Sequence, residues 1–336
     1  MTFGMFQGIA VLRKLALLGG LAVAAMGVSV ASTPVFSQSY PVRPIRIIVA
    51  VPPGGPTDLL ARQIGRKISE SWGQAIIVEN LPGAGQLIGT AAAAKAAPDG
   101  YTLLMTTNVF PVNTWMFKSL PYDPRKDFTP ITLVASSSLV LVVDPSLKIA
   151  SLKALIEYAK ANPGKLNYGS SGVSSSLRFA VELLKSMAGV DLTHVPYSGA
   201  APMITALLGG VVQVAFVDQA ISRVHIASGR LRALAVTGTQ RSTGMPDVPT
   251  MSEAGMPGYL AGSWFGLLAP AGTPGPVIAK VQAEVARVLK NPDVQRRLYG
   301  DDEVGIGSTP AEFAAFIDAE SAKWGKIIRD NNISAQ

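Results

Sequence analysis

The chain has 336 residues and a formal net charge of +7, and it contains no cysteine. The lack of cysteine excludes disulfide bonds and thiolate metal sites, and it also excludes a lipid anchor on an N-terminal cysteine. Lysines and arginines are scattered along the chain, so the basic stripe with aromatic residues that nucleic-acid binding requires is missing.

The first predicted element is an export signal that covers residues 1–37. Arg13 and Lys14 precede an apolar stretch, residues 15–31, which several glycines interrupt. This order is typical of a secretory signal, and the stretch is short for the ~20 residues that span a membrane. We expect cleavage near Ser37; an earlier cleavage site and a retained membrane anchor are the alternatives. Export without an anchor favours the periplasm, and free secretion is the other interpretation.

Strands and helices alternate after the signal. Leu60, Ile64 and Ile68 recur every four residues, as one face of a helix requires. Apolar runs of strand length flank this helix, and turn residues separate the elements. The alternation predicts a parallel sheet covered by helices. The strands are expected at 45–51, 75–78 and 101–105, and the helices at 59–68 and 88–97.

A second α/β region begins near residue 139, and the chain leaves it at the apolar run Ser263–Pro270. We therefore predict two α/β lobes joined by two crossings. Residues 38–138 and 264–336 form the first lobe, and residues 139–263 form the second. Strands are expected at 139–143, 165–168, 211–217 and 231–236, helices at 152–161, 177–187 and 201–208, and two terminal helices at 277–289 and 311–328.

Sequence motifs of common enzymes are missing. The chain lacks G-x-S-x-G, S-x-x-K, G-x-x-x-x-G-K-[ST] and H-E-x-x-H. We interpret His194 as a structural hydrogen-bonding residue and His225 as a surface residue. Gly83, Gly85 and Gly89 lack the spacing of a dinucleotide-binding loop. We therefore predict no catalytic residue, no cofactor and no metal site. The alternative, an enzyme with the same two-lobe architecture, would need an acid–base set that the sequence does not contain.

The first turn, "VPPGGPTD" at residues 51–58, stands between a strand and a helix. Gly55 and Pro56 fit the N-cap and N1 positions, because proline lacks an N–H that would have no intrahelical acceptor. Asp58 then lies near N3, where a carboxylate interacts with the helix N–H groups and dipole. Gly54 and Gly55 leave the backbone open to a ligand. Such a row of N–H donors favours an anion; a capped turn without a ligand is the alternative.

The second turn, "GSSGVSSS" at residues 169–176, repeats this arrangement in the other lobe. It passes from a strand to a helix through glycines and serines, which offer hydroxyl donors besides backbone N–H groups. Each turn follows the carboxyl end of a strand, where ligands bind in open α/β sheets. Two such turns, in lobes joined by two crossings, describe a clamshell that closes on one anion.

The order of several longer motifs indicates a family resemblance. These motifs include "YPVRPIRIIV", "PPGGPTDLLAR", "NLPGAG", "PDGYTLL", "AKANPGKLNYGSSG", "HVPYSGAAP" and "VPTMSEAGMPGY". Over nearly the whole mature chain, the sequence resembles the Bug-type periplasmic receptors of tripartite tricarboxylate transporters. The resemblance implies a type II periplasmic-binding-protein fold, no catalysis, and a carboxylate ligand held at the two turns, partly through ordered water.

The resemblance also implies partners and site residues. The expected partners are a small carboxylate ligand and the membrane subunits of a transporter, with no nucleic acid, and we expect a periplasmic monomer. A soluble receptor that presents a carboxylate to a sensor kinase is the alternative. The ligand-binding residues implied in this way are Pro53, Gly54, Gly55, Thr57, Asp58, Ser170, Ser171, Gly172, Val173, Ser174, Ser175 and Asp218.

Three positions depart from the family pattern. Gln86 stands where another glycine is typical, Arg178 where histidine is common, and Ser198 where lysine is common. An arginine near the cleft predicts contact with a second group of the ligand, such as the second carboxylate of a dicarboxylate. A place on the helix surface is the alternative for Arg178.

Overall fold

The computed structural model describes residues 40–300, 303–330 and 333. The described strands and helices all lie within one unit, residues 43–336. The predicted export signal, residues 1–37, and its cleavage site lie outside the described residues. Within the described ranges, no helix combines the length and the apolar character needed to cross a membrane.

Strands and helices alternate along most of this unit. The described strands are β1 (Ile45–Val49), β2 (Ile76–Asn80), β3 (Thr102–Thr107), β4 (Phe128–Ser137), β5 (Leu139–Val143), β6 (Asn167–Ser170), β7 (Thr193–Pro196), β8 (Val214–Asp218), β9 (Arg232–Val236), β10 (Ser263–Pro270) and β11 (Glu303–Gly305). The described α-helices are α1 (Pro56–Trp72), α2 (Leu87–Ala94), α3 (Val109–Met116), α4 (Leu152–Ala161), α5 (Ser176–Ala188), α6 (Ala200–Leu208), α7 (Gln219–Ala227), α8 (Gly275–Leu289), α9 (Pro292–Gly300) and α10 (Pro310–Asp330).

Sheet 1 contains six strands in the order β11-β4-β10-β3-β1-β2. Strand β1 pairs in parallel with both β2 and β3, and Ile47, Ile48 and Val49 are at most 2% exposed. Such a continuous apolar run is typical of a parallel strand covered on both faces. Strand β10 runs antiparallel between β3 and β4, so the sheet has an antiparallel part that the sequence pattern did not predict.

Sheet 2 contains five strands in the order β7-β6-β8-β5-β9. Strand β6 pairs in parallel with β7 and β8, whereas β5 pairs antiparallel with β8 and β9. Each residue of β5 is 0% exposed, so its apolar run is continuous rather than alternating. The bounds of β5 are those expected from the sequence.

The chain passes between the two sheets at two places that lie side by side. Strand β4 ends at Ser137 and β5 begins at Leu139, and the chain returns to sheet 1 at Ser263. Ser263 pairs with Ser137, and Leu139 pairs with Asp218 at the end of β8. The carboxyl ends of parallel strands therefore meet at these crossings. We call the part built on sheet 1 lobe 1 and the part built on sheet 2 lobe 2; their predicted residue limits stay a prediction.

The last helix, α10, connects the two lobes through apolar contacts. The ring of Trp324 lies 5.4 Å from the ring of Phe179 in α5, measured between centroids. Trp324 also belongs to an apolar cluster with Val112 and Met116 of α3. Helix α10 thus packs against α5 of lobe 2 and α3 of lobe 1, beside the crossings.

Candidate functional site

The first turn exposes bare backbone at the carboxyl end of β1. Gly55 is the N-cap of α1 and Pro56 is its first residue, which confirms the predicted capping positions. Gly54 has a φ of +88°, a left-handed conformation that favours glycine. A Cβ atom at Gly54 or Gly55 would meet no atom within 4 Å. Pro53 is exposed, and Thr57 is 6% exposed in the first turn of the helix.

Asp58 holds this turn together instead of facing open space. Its side chain is 3% exposed. Its Oδ2 accepts hydrogen bonds from the Gly54 N–H at 2.9 Å and from Arg62 Nε at 3.1 Å, and its Oδ1 accepts one from Asn80 Nδ2 at 2.9 Å. Burial raises the pKa of Asp58, but the hydrogen bonds from Arg62, Gly54 and Asn80 outweigh it and hold the pKa below its usual 3.8.

This geometry changes the roles expected for two residues. The Gly54 N–H was expected to face the ligand, but it donates to Asp58 within the turn. Asp58 was expected among the ligand contacts, but its oxygens accept from protein donors. The N–H groups of Gly55 and Thr57 remain as donors at the start of α1, because the first N–H groups of a helix have no intrahelical acceptor.

Two serines of the second turn hold the turn itself. Ser170 is fully buried; its Oγ donates to the carbonyl oxygen of Gly172 at 3.0 Å and lies 2.7 Å from Nε2 of His194. Ser175 caps α5, since its Oγ accepts from the N–H of Arg178 at 3.3 Å. Burial, with the charges of Arg178 and Lys185, lowers the pKa of His194 to about 4. His194 is therefore a neutral structural partner of Ser170 at neutral pH.

Other residues of the second turn remain open to a ligand. Gly172 has a φ of +143°, and a Cβ atom there would meet nothing within 4 Å. Ser171 and Val173 are partly buried. Ser174 is 5% exposed, and its Oγ has no hydrogen-bond partner among the described residues.

Arg178 supports the second turn from within lobe 2. Its Nη1 donates to the carbonyl oxygen of Val173 at 2.8 Å, and its Nε lies 3.9 Å from Oε1 of Glu182. Glu182 also accepts from the hydroxyl of Tyr168 and pairs with Lys185 at 3.2 Å. Arg178 is only 9% exposed, so it does not lie on the helix surface. Its contact with a second group of the ligand stays a prediction.

A cavity of about 240 Å³ joins the first turn to the end of β8. Asp218 lines it, and burial raises the pKa of this carboxyl group to about 6. Strand β8 pairs in parallel with β6, so Asp218 also lies beside the start of the second turn. Arg297 of α9 adds a positive charge to the lining, which the sequence reasoning missed. The residues that line the cavity are Gly54, Pro56, Leu59, Leu60, Gln63, Ser137, Asp218, Ala220, Ile221 and Arg297.

The second turn contacts lobe 1 at a place that the sequence reasoning did not include. A Cβ atom at Gly85 would lie 3.8 Å from Ser174 Oγ, and Ser176 Oγ lies 3.0 Å from Ser263 Oγ at the crossing. Gly83 and Gly85 are the sequence feature that could have indicated this contact, but their spacing by itself indicates only a structural turn. In the described ranges, no group of three or more histidine, aspartate or glutamate side chains could hold a metal ion.

Comparison with known proteins identifies relatives over most of the chain. Residues 60–333 match the family described as "Tripartite tricarboxylate transporter family receptor". The chain is 38% identical to Protein BugT of Bordetella pertussis over 320 residues, which cover 95% of this chain and 97% of the relative.

Two solved structures share the fold. R. palustris Rpa4515 with adipate is 34% identical, with a TM-score of 0.80, over 88% of this chain and 99% of that chain. MatC (Rpa3494) from Rhodopseudomonas palustris with bound malate is 33% identical, with a TM-score of 0.77, over 86% of this chain and 100% of that chain. The predicted fold class is thereby confirmed, and so is the prediction of a solute-binding protein rather than an enzyme. The chain belongs to the Bug-type receptors of the tripartite tricarboxylate transporter family.

Proposed function

We propose that this receptor captures a small carboxylate between its lobes and delivers it to the membrane subunits of a tripartite tricarboxylate-type transporter. The observation that carries the proposal is the position of two glycine-containing turns, one in each lobe and each at a helix N-terminus, beside the place where the chain passes between the two sheets. Unpaired N–H groups and the helix dipole favour an anion at such a place. The adipate bound to Rpa4515 and the malate bound to MatC support a carboxylate as that anion.

The proposed contacts divide between the lobes. In lobe 1, the bare backbone of Gly54 and Gly55 admits the carboxylate next to Pro53, and the N–H groups of Gly55 and Thr57 donate to it. This assignment is supported by the open space around both glycines. Asp58 acts indirectly, because it fixes the backbone of the turn.

In lobe 2, we assign the donor role toward the carboxylate to the hydroxyl of Ser171, and we assign to Ser174 a contact with another part of the ligand. Ser170 and Ser175 hold the turn through their own hydrogen bonds, so they position these two residues. Gly172 and Val173 present backbone to the ligand, and Arg178 keeps that backbone in place. Asp218 faces the ligand from the end of β8.

A thermal-shift assay tests the carboxylate assignment directly. Adipate and malate are the charged probes, and adipamide and malamide are the matched neutral probes. A ligand at 100 times its Kd stabilises the folded state by about 2.7 kcal/mol, which is a rise of several degrees in Tm. We expect at least one acid to raise Tm and its amide to leave it unchanged. Equal shifts from the neutral probes would contradict the carboxylate assignment.

The proposal includes a cellular location and an assembly state. We propose a periplasmic monomer that begins near Gln38, with lobe limits at residues 38–138 plus 264–336 and 139–263. The positions at which the strands change sheet support these limits. N-terminal sequencing of the protein from a periplasmic extract, followed by light scattering, tests the location and the monomer. A chain that retains residues 15–31 in the membrane fraction would contradict the cleaved signal.

A further inference from the structure

The turn between β2 and α2 has an unusual backbone. Residues 83–86 all have positive φ angles: 127° at Gly83, 48° at Ala84, 63° at Gly85 and 72° at Gln86. Ala84 and Gln86 carry side chains in a region that favours glycine, and this costs free energy. Backbone strain of this kind persists only where the surroundings enforce it, and it clusters at functional sites.

Two buried side chains hold the turn in this conformation. Asn113 Nδ2 donates to the carbonyl oxygen of Gly85 at 2.9 Å, and Thr90 Oγ1 donates to the carbonyl oxygen of Gln86 at 2.8 Å. Asn113 is 1% exposed and Thr90 is 3% exposed. These bonds fix the backbone of Gln86 and with it the direction of its Cα–Cβ bond, from which the side chain extends.

The Gln86 side chain reaches across the carboxyl end of β1. Its Nε2 lies 3.2 Å from Thr107 Oγ1, and its Oε1 lies 3.3 Å from the same hydroxyl. Gln86 follows β2 and Thr107 ends β3, whereas β1 lies between these two strands. The amide consequently crosses the end of the strand from which the first turn starts. The contact with Oε1 is long for a hydrogen bond between two oxygens, and the contact with Nε2 is at the long end of the usual range, so the amide can exchange one of them for a ligand.

Lobe 2 presents a hydroxyl to the same turn. Ser174 Oγ would lie 3.8 Å from a Cβ atom at Gly85, the residue before Gln86. This oxygen is buried and has no hydrogen-bond partner among the described residues. A buried polar atom without a partner is costly and points to a group that is bound there.

We infer that Gln86 is a specificity-determining residue, whose amide forms with Ser174 a neutral subsite for a hydroxyl group of the carboxylate ligand. The inference rests on the proposed function. The amide offers an NH₂ group that donates and an oxygen that accepts, and a serine hydroxyl can do both. A ligand hydroxyl can donate to the Gln86 Oε1 and accept from the Ser174 hydroxyl, whereas an ionised carboxylate only accepts and supplies no donor for Oε1. A hydroxy acid therefore fits this subsite better than the same acid without the hydroxyl.

The test compares hydroxy acids with their deoxy counterparts by calorimetry. The probe pairs are malate and succinate, lactate and propionate, and 3-hydroxybutyrate and butyrate. Gln86→Gly removes the amide and relieves the backbone strain. Ala84→Gly is the matched control, because it relieves the same kind of strain two residues away and keeps the amide. Both variants should therefore have a Tm at or above that of the wild type.

We expect the wild type to prefer the hydroxy acid of at least one pair by about tenfold or more, as sites built to bond a hydroxyl do. Gln86→Gly should reduce that ratio to about one to two and retain affinity for the deoxy acid, whereas Ala84→Gly should keep the wild-type ratio. A carboxylate-binding wild type without this preference, or a Gln86→Gly variant that keeps it, would overturn the inference and leave the proposed function intact. If no carboxylate binds the wild type, the proposed function fails as well.

Discussion

Replacement of Asp58 by asparagine tests whether the first turn depends on one buried carboxylate. Asp58 accepts hydrogen bonds from the Gly54 N–H, Asn80 and Arg62, and only 2% of its surface is exposed. An asparagine side chain has a single oxygen that can accept, and its NH₂ group faces a donor. The charge that complements the N-terminus of α1 is lost as well.

The expected loss follows from these contacts. A hydrogen bond to a charged group contributes about 1.5–3 kcal/mol and a neutral one about 1 kcal/mol. Arg62 is half exposed, so its share is reduced by solvent. We therefore expect Asp58→Asn to lower the free energy of unfolding by about 2–4 kcal/mol at pH 7. Asp318→Asn is the control, because its ion pair with Arg125 is exposed and should contribute less than about 1 kcal/mol.

The effect of this substitution should depend on pH in a defined direction. The pKa of Asp58 in the folded protein lies below its usual 3.8, so its stabilisation is complete above pH 3.8 and is lost as the pH falls through the folded pKa. The assay is urea unfolding of the wild type and Asp58→Asn at several pH values between 7 and 3. The difference between them should be constant from pH 7 to about pH 5 and should shrink towards pH 3. A negligible difference at pH 7, or one that does not shrink in acid, would refute this reasoning.

Two further predictions concern lobe 2. Burial raises the pKa of Asp218 to about 6, so its charge develops as the pH rises through 6 and repels an anion. Calorimetry, with each affinity calculated for the fully ionised ligand, should show affinity several-fold weaker at pH 7.5 than at pH 5, and Asp218→Asn should abolish this difference; a pH-independent wild type would contradict the assignment. Ser171→Ala should remove a donor worth about 1.5–3 kcal/mol, and thus weaken binding roughly 10- to 100-fold with Tm unchanged. Ser175→Ala should instead lower the free energy of unfolding by about 1 kcal/mol through loss of the α5 cap. Equal losses of affinity and of stability in the two variants would argue against Ser171 as a ligand donor and Ser175 as a cap.

Sequence spacing and capping residues correctly predicted those helices and strands whose bounds depend on neighbouring residues. Helix α4 has its predicted bounds, and its N-cap Ser151 accepts from the N–H of Ala154 at 3.1 Å. Helix α3 was missed, because its sequence is apolar on most sides and contains Pro111. Proline is tolerated there, since it lies in the first turn, where an N–H has no intrahelical acceptor. Strand β4 was missed for a related reason: Pro130 lies opposite Leu268, next to a register shift that relaxes the pairing.

The sequence predicted only those features of the candidate site that depend on residues adjacent in the chain. A Gly-Pro pair followed by an aspartate fixes the N-cap, N1 and N3 of α1 from adjacent positions. The partner of Asp58 in the next strand, Asn80, depends on strand order, which no local pattern specifies. The contacts of Ser170 with His194 and of Ser174 with the Gly85 turn depend on tertiary packing in the same way. For this reason the sequence identified the two turns and the capping position of Asp58, but not the contacts of Asp58 with Asn80 and of Arg178 with the carbonyl oxygen of Val173.

The most direct test of the central claim is the affinity of Gly55→Val for the carboxylate that stabilises the wild type most in the thermal-shift assay. Gly55 has φ −84° and ψ 170°, an extended conformation that valine adopts readily, and a Cβ atom there meets only open space. The matched control is Gly275→Val, also at a helix N-terminus with open space but beyond the end of β10 farthest from the crossings. We predict that both variants fold with the wild-type Tm, that Gly275→Val binds normally, and that Gly55→Val loses binding. A folded Gly55→Val variant with unchanged affinity would contradict the placement of the ligand at the first turn.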